Sequence, residues 1–370
     1  MDKNQGKINA GIIGATGMVG QRFITLLENH PYFNISALAA SPRSAGKKYF
    51  EAVGGRWKMP VPMSESVASM TVFDAYDVEK VSSMCDFVFC AVDDAKKEEI
   101  KKLEEDYARA ETPVVSNNSV CRNYPDVPML IAEINSSHID AIETQKKRLG
   151  TKAGFIAVKP NCSIQSYVPM LTPLLKYGLK EVVVSTYQAI SGASKTFEEW
   201  PEMIDNVIPY IGGEEEKSEK EPMKIWGAVK NGLIENAQSP IITSQCIRVP
   251  ATDGHLATVF LKFEDSGKKP SKEEIIELWR EFRGEPQELD LPSAPKQFIH
   301  YFEEDNRPQT KLDRDLENGM AISAGRLRED PAGIFDYKFI GLSHNTIRGA
   351  AGGGVLSAEL LYKKGLIAKK

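Results

Sequence analysis

Ile8-Asn-Ala-Gly-Ile-Ile-Gly14-Ala-Thr-Gly17-Met-Val-Gly20-Gln-Arg-Phe23 decides the fold. The run from Ile8 to Gly14 is short and apolar, which reads as a buried strand. Met18 to His30 then places Val19, Phe23, Leu26 and Leu27 at helical spacing. Between the two stands a ladder of glycines, Gly14-x-x-Gly17-x-x-Gly20, in the context that a dinucleotide fingerprint requires. Gly14 allows the tight turn, Gly17 lets backbone amides approach a pyrophosphate at the helix N-terminus, and Gly20 lets helix and strand pack closely. Thr16, Met18 and Val19 join these glycines as candidate cofactor contacts. The spacing differs from the usual G-x-G-x-x-G, so a turn driven by packing alone is the competing reading.

Working outward, Phe33 to Ala40 reads as a second strand and Asp86 to Val92 as a third. A helix from Asp93 to Tyr107 opens with acids, which suit the positive end of its dipole. Pro113-Val-Val-Ser and Pro128-Met-Leu-Ile-Ala read as two more short strands. Strands alternating with helices predict an α/β fold with a Rossmann-type, doubly wound parallel sheet. The end of the second strand bears on the nucleotide. An NAD site places an acid there for the ribose hydroxyl. Here the chain runs Ala40-Ser41-Pro-Arg43-Ser44, with no acid. Ser41, Arg43 and Ser44 can instead hold a 2′-phosphate, the guanidinium as a charge-assisted donor, so NADP is expected.

After about residue 160 the texture changes. Glu181–Gln188, Ile247-Arg-Val, His255–Phe263, Ala321–Arg326 and Phe335–Leu342 are longer and more alternating, predicting an α+β domain with a mixed sheet. Ile211–Glu221 reads as a charged, solvated loop. The segment from Asn345 is rich in small residues and runs into an apolar helix, which packs either on the cofactor domain or on the catalytic one. The expected division is a cofactor domain of residues 1–160 with 345–370, and a catalytic and oligomerisation domain of residues 161–344.

Composition narrows the function classes. The 370 residues carry a net charge of −5, which predicts no broad basic face for nucleic acid. The polar head has no apolar signal core, and no run approaches the length of a membrane span, so a cytoplasmic protein is expected. The five cysteines are odd in number and lack zinc spacing, so neither a disulfide framework nor a metal site is expected. Cys85 and Cys90 read as small buried hydrophobes, and Cys121, beside Arg122, as a buried thiol or a reactive one.

Chemistry points to Cys162, in Lys159-Pro-Asn161-Cys162-Ser-Ile-Gln. It stands where the first turn of a helix would lower a thiol pKa, although Pro169 and Pro173 would shorten or kink that helix. Arg248-Val-Pro-Ala-Thr-Asp-Gly-His255 follows 86 residues on. His255, entering a strand after glycine, suits a general base that takes the thiol proton. Arg248 can hold a carboxylate by a bidentate fork, or serve as a salt-bridged strand arginine. Gln188, entering the Ser191-Gly192 turn, can orient a tetrahedral intermediate or stabilise the turn. His30, His138, His300 and His344 read as solvated.

These stretches, with Ser116-Asn-Asn-Ser-Val-Cys-Arg122 and Tyr187-Gln-Ala-Ile-Ser-Gly-Ala193, resemble the aspartate-semialdehyde dehydrogenase family over nearly the full chain, its archaeal and fungal branch above all. The resemblance implies NADPH-dependent reduction of aspartyl-β-phosphate to the semialdehyde, reversibly, through a Cys162 thioester. That step belongs to lysine, threonine, methionine and isoleucine biosynthesis. It implies His255 as acid/base, Gln188 positioning the intermediate and Arg248 on the substrate carboxylate. It implies Glu221 on the substrate amine, and Lys224, Arg122 and Asn161 on phosphate. Ser191, Gly192 and Asn345 would lie near the nicotinamide, and the chain would form a homodimer or homotetramer. A malonyl-CoA reductase or another acyl-CoA or acyl-phosphate reductase is the sister reading, which an acid at Glu221 argues against. A catalytically dead NADP sensor is the reading from outside enzymology.

Overall fold

The computed structural model describes residues 6–92, 95–265 and 269–370. Asp93 and Asp94, the acids expected to open a helix, lie outside the described residues; the helix itself runs Lys97–Arg109.

The first sheet is built from β1 (Ile8–Ile13), β2 (Phe33–Ala40), β3 (Val72–Asp74), β4 (Phe87–Cys90), β5 (Val114–Ser116) and β6 (Ile156–Val158). The strands are all parallel, in the order β3-β2-β1-β4-β5-β6. Strand order therefore reverses between β1 and β4, and the crevice beyond their carboxyl ends is where such sheets bind nucleotides. The strands are short, and most are buried on both faces, as helices covering a parallel sheet require. Val72–Asp74 and Ile156–Val158 are strands that the sequence pattern does not single out. The expected strand at 128–132 makes only one bridge, Met129 to Val158, and turns into the helix Ala132–Asn135.

The second sheet comprises β7 (Leu179–Gln188), β10 (Ile241–Arg248), β11 (His255–Phe263), β12 (Ile299–Phe302), β13 (Ile322–Glu329) and β14 (Tyr337–Ser343). β8 (Ala228–Lys230) and β9 (Leu233–Glu235) form a separate hairpin. The order β10-β7-β11-β14-β13-β12 is mixed: β10 with β7 and β12 with β13 are parallel, the rest antiparallel. β7 and β11 alternate buried with half-exposed residues.

The C-terminal helix Gly352–Lys363 packs on both halves: Leu356 and Leu360 join Leu291 and Met320 of the second, and its other apolar residues meet the first. Ala351, Val355, Ala358, Leu361 and Ile367 share one apolar cluster with Ile8, Ile12, Phe23 and Phe87 of the first half. Gly354 makes the approach possible, since a Cβ there would meet the Phe23 ring at 3.0 Å. Glu359 adds a buried tie, pairing with His30 Nε2 at 2.8 Å.

Three histidines expected in solvent are buried. His30 accepts the Tyr32 and Phe33 amides, His138 bridges Asn135 and the Gly227 carbonyl, and His344 accepts the Ile347 amide. Each ring satisfies buried backbone, a use that polar flanking sequence does not advertise. His300 is half-exposed.

Candidate active site

The glycine ladder shapes the first half of the site. Gly14 has φ +86°, and a Cβ on it would lie 2.1 Å from the Ala91 carbonyl oxygen, across the β1–β4 crevice. Gly20 packs just as closely, with a virtual Cβ 2.3 Å from the Gly14 oxygen, so it serves packing and does not face the crevice. A cavity of about 430 Å³ and another of about 670 Å³ adjoin there, sharing Ala91, Val92, Ala95, Gly192 and Ser194. Gly14, Thr16, Gly17, Met18, Ser41 and Arg43 line the larger one, and Val19 the smaller. Ser44 lines neither; its amide closes a turn on the Ser41 carbonyl. Gln21, Arg56, Lys58 and Tyr76 also line the larger cavity, and no spacing in the sequence marks them.

The second sheet delivers the reacting groups. Arg248 ends β10 level with Gln188 at the end of β7, while His255 begins β11 opposite the same end. Cys162 comes from the other side, after β6. It does not open an α-helix: the chain makes a single 3₁₀ turn, Ser163–Ser166, and restarts at Val168 and Thr172 with Pro169 and Pro173 in the first positions. Cys162 Sγ lies 3.4 Å from His255 Nε2 and borders the smaller cavity. Gly349 permits the approach of the C-terminal segment, since a Cβ there would fall 2.8 Å from Cys162 Cβ.

The electrostatics differ from expectation. Burial pushes the Cys162 thiol up to about 11, with Glu214 adding to it and Lys159, Arg122 and Arg248 opposing. His255 is pushed down to about 3 by burial, with Arg248 beside it, so its imidazole is neutral near pH 7. The Ala189 amide donates to His255 Nδ1 at 3.1 Å. That contact favours the tautomer with the proton on Nε2, facing the sulfur, while the Gly254 carbonyl favours a proton on the ring toward itself. In the first tautomer His255 is a donor toward Cys162, and in the second it accepts the thiol proton. Shifting the proton to Nδ1 would forfeit the Ala189 bond, at a cost of about 1–3 kcal/mol.

The charged segment after Gly213 is a helix, Glu214–Ile225, not a loop. Glu214, Glu215 and Glu216 occupy its first turn, where acids complement the dipole. Only that turn reaches the cavity, which Glu214 and Lys217 line. Lys217 Nζ donates to Glu214 at 2.8 Å, and Asn161 Nδ2 donates to both its oxygens at 2.9 Å. Burial alone would raise the Glu214 carboxyl, but Lys217, Asn161 and Gln188 outweigh it and hold it below its ordinary value.

Glu221 and Lys224, two turns along, do not line the cavity. Glu221 pairs with Arg122 at 2.8 Å and accepts the Asn161 amide at 2.6 Å. Lys224 Nζ donates to the carbonyls of Arg122, Tyr124 and Val127 at 2.6, 2.6 and 2.8 Å. Gln188 is also set back, its amide donating to Glu214 at 3.2 Å. Arg122, Asn161, Ser191, Gly192 and Asn345 border the cavity. Asn345 is fixed by Ser191 Oγ and the Gly254 amide. Arg248 Nη1 donates to the Ala189 carbonyl at 2.7 Å. Gly192 leaves it room, since a Cβ there would meet Nη1 at 2.8 Å and the His255 ring at 3.1 Å.

All five cysteines are free, and every one except Cys162 is buried. Burial and the adjacent Glu104 carboxyl push the Cys121 thiol up, which disfavours its thiolate. No helix among the described residues is long and apolar enough to cross a membrane.

A nucleotide crevice that opens onto a histidine-paired thiol defines a dehydrogenase of the thiol class. Residues 9–142 match the semialdehyde dehydrogenase NAD-binding domain, and residues 171–348 the semialdehyde dehydrogenase dimerisation domain. The aspartate-semialdehyde dehydrogenase of Aspergillus fumigatus is 42% identical over 98% of this chain and 99% of its own. That of Methanothermobacter thermautotrophicus is 43% identical over 96% and 99%. The crystal structure of the Candida albicans enzyme with NADP superposes with a TM-score of 0.87, at 39% identity, covering 98% of this chain and all of that one. The chain belongs to the aspartate-semialdehyde dehydrogenase family.

Proposed function

We propose that the protein reduces aspartyl-β-phosphate to aspartate β-semialdehyde, reversibly, with NADPH, as a step of amino-acid biosynthesis. The observation that carries this reading is Cys162 Sγ beside His255 Nε2 where the two cavities meet. The crevice fits a dinucleotide phosphate: Gly14 and Gly17 bare their backbone, and Ser41 and Arg43 line its far end with no acid at the end of β2. Bound there, the nicotinamide supplies or accepts a hydride.

Cys162 attacks the acyl carbon as thiolate, and inorganic phosphate leaves to give a thioester. After hydride addition the thiohemiacetal oxygen carries negative charge, which the His255 Nε2–H stabilises. Collapse of that adduct releases the aldehyde and returns the thiolate. Arg248 takes the substrate carboxylate. Glu214, in the place first expected of Glu221, takes the amine, and Lys217 stands with Arg122 for phosphate where Lys224 was expected. An acid there favours an amino-bearing substrate over malonate semialdehyde.

Exposed Ile204, Val207, Tyr210 and Ile241 support a homodimer or homotetramer built through the second half. The free thiols suit a reducing cytoplasm. The test is Cys162→Ala, which abolishes turnover and the acyl mass on the trapped protein. A variant that keeps near-wild-type turnover overturns the reading.

A further inference from the structure

Two halves of the molecule face each other across the larger cavity. Gly14, Thr16 and Arg43 line it from the first half, and Gly192, Ser194 and Glu199 from the second. Gly192 and Ser194 border the smaller cavity as well. The turn Ile190–Ala193 and the residue after it therefore stand where cofactor and nucleophile meet. Beyond Ser194 the chain is exposed or half-exposed as far as Trp200.

One side chain spans the gap. Lys58 follows the short helix Tyr49–Val53 of the first half. Its Nζ donates to the Ser194 carbonyl at 3.0 Å and to Glu199 Oε2 at 2.6 Å. The same carboxylate oxygen accepts the Thr196 amide at 3.0 Å, so one ammonium gathers both ends of the 194–199 loop. The Lys58 bond, above all, holds the Glu199 carboxyl below its ordinary value. Lys58 is anchored in turn by its backbone. Its amide donates to Gln21 Oε1 at 2.8 Å, and Gln21 Nε2 donates to the Arg56 and Thr16 carbonyls at 2.9 and 3.0 Å. Gln21 is buried, and Thr16 belongs to the glycine ladder. A continuous line of hydrogen bonds thus runs from the glycine ladder to the turn beside the nucleophile's cavity.

We infer, on the reading that the larger cavity holds NADPH, that Lys58 and Glu199 clasp the two halves over the bound dinucleotide and slow its release. They act through the turn at Gly192–Ser194 and touch no reacting atom, so they are positioning residues. The side chains of the pair are 19% and 44% exposed, and an ion pair that open to solvent adds little to folding stability. An interaction that must break before a ligand leaves acts on the dissociation rate and much less on association. Simple electrostatics gives the opposite sign at Glu199. A carboxylate beside a polyanionic cofactor repels it, so removing that charge would tighten binding. A clasp that loses its carboxylate loosens.

The experiment is the dissociation rate of NADPH from the full chain, followed by stopped-flow fluorescence on displacement with excess NADP. Wild type, Lys58→Met, Glu199→Gln and the double variant are compared, with thermal melts to establish folding. Lys58→Met loses both bonds and releases NADPH about three- to tenfold faster, the worth of a partly exposed ion pair with its hydrogen bonds. Glu199→Gln keeps the Ser194 bond and is accelerated less. The double variant is no faster than Lys58→Met, because the two residues act as one unit. Glu199→Gln, conservative and at the surface, decides the sign even where Lys58→Met fails to fold. A Glu199→Gln enzyme that releases NADPH at the wild-type rate, or more slowly, overturns the clasp. So do additive effects, which would set the two residues on the cofactor separately. A wild-type enzyme that binds no NADPH overturns the reading of the cavity along with the clasp, whereas wild-type binding with unaltered variants overturns the clasp alone.

Discussion

Glu214-Glu-Glu-Lys217 and Glu221-Pro-Met-Lys224 place the same two charges at the same spacing, two turns apart on one helix. On a sequence they are interchangeable. In the fold they are not. The first pair lines the cavity and closes on itself at 2.8 Å. The second is divided: Glu221 braces Arg122 and the Asn161 amide, while Lys224 ties together three carbonyls of the 122–127 turn. In the proposed reading one pair meets the substrate, and the other builds the wall behind it. What separates them is depth along a helix whose buried face runs from the cavity into the interior, and depth has no signature in a period of 3.6.

The comparison breaks most visibly at Lys224. Lys224→Met strands three buried carbonyls and leaves Glu221 with one cation fewer nearby. A loss of about 3–5 kcal/mol in stability is expected, measured by urea denaturation at pH 7.5. An equal stability with a raised KM would mean that Lys224 meets the substrate after all. Lys217→Met is the converse experiment. Its ammonium is partly exposed and its partner keeps Asn161 and Gln188, so stability should move by less than about 1 kcal/mol. The KM for acyl phosphate, or for phosphate in the reverse direction, should rise by about 10- to 100-fold, the worth of one charge-assisted contact. An unchanged KM would remove Lys217 from the site.

The first half of the molecule was far more legible than this helix. Gly14 and Gly20 announce their roles because a positive φ or a missing Cβ is a property of the residue itself. Apolar runs such as Phe87–Cys90 announce buried parallel strands for the same reason. Cys162, Arg248 and His255 could be named, and the ends of β10 and β11 carry the latter two to one place. The tautomer of His255 could not be read, because it depends on the Ala189 amide, 66 residues away in the chain. Nor could the helix Glu214–Ile225. Its charge density resembles a solvated loop, and its interior Pro222 argues against any helix. A buried ion pair to Arg122 and buried hydrogen bonds from Asn161 make such a sequence fold inward, and both partners lie far outside its own window.

Lys224 also gives the subtlest way to sharpen the contrast, through pH. Burial lowers its ammonium from 10.5 to about 8, although Asp126 and Glu221 pull the other way. Between those values the unfolded chain holds a proton that the folded chain has shed. Folding is therefore favoured as pH rises through that window, and the stability held back below pH 8 is recovered by about 10.5. Lys159 has the same sign, so the wild-type curve alone cannot isolate the effect. The difference between wild type and Lys224→Met can, because Lys159 is common to both. That gap should widen by about 1–3 kcal/mol from pH 8 to 10.5, at about 1.4 kcal/mol per pKa unit before relaxation. Denaturation at half-unit intervals measures it. A gap that narrows instead would mean that three carbonyls outweigh burial and keep the ammonium charged, and the wall behind the substrate would then be held by a cation at every working pH.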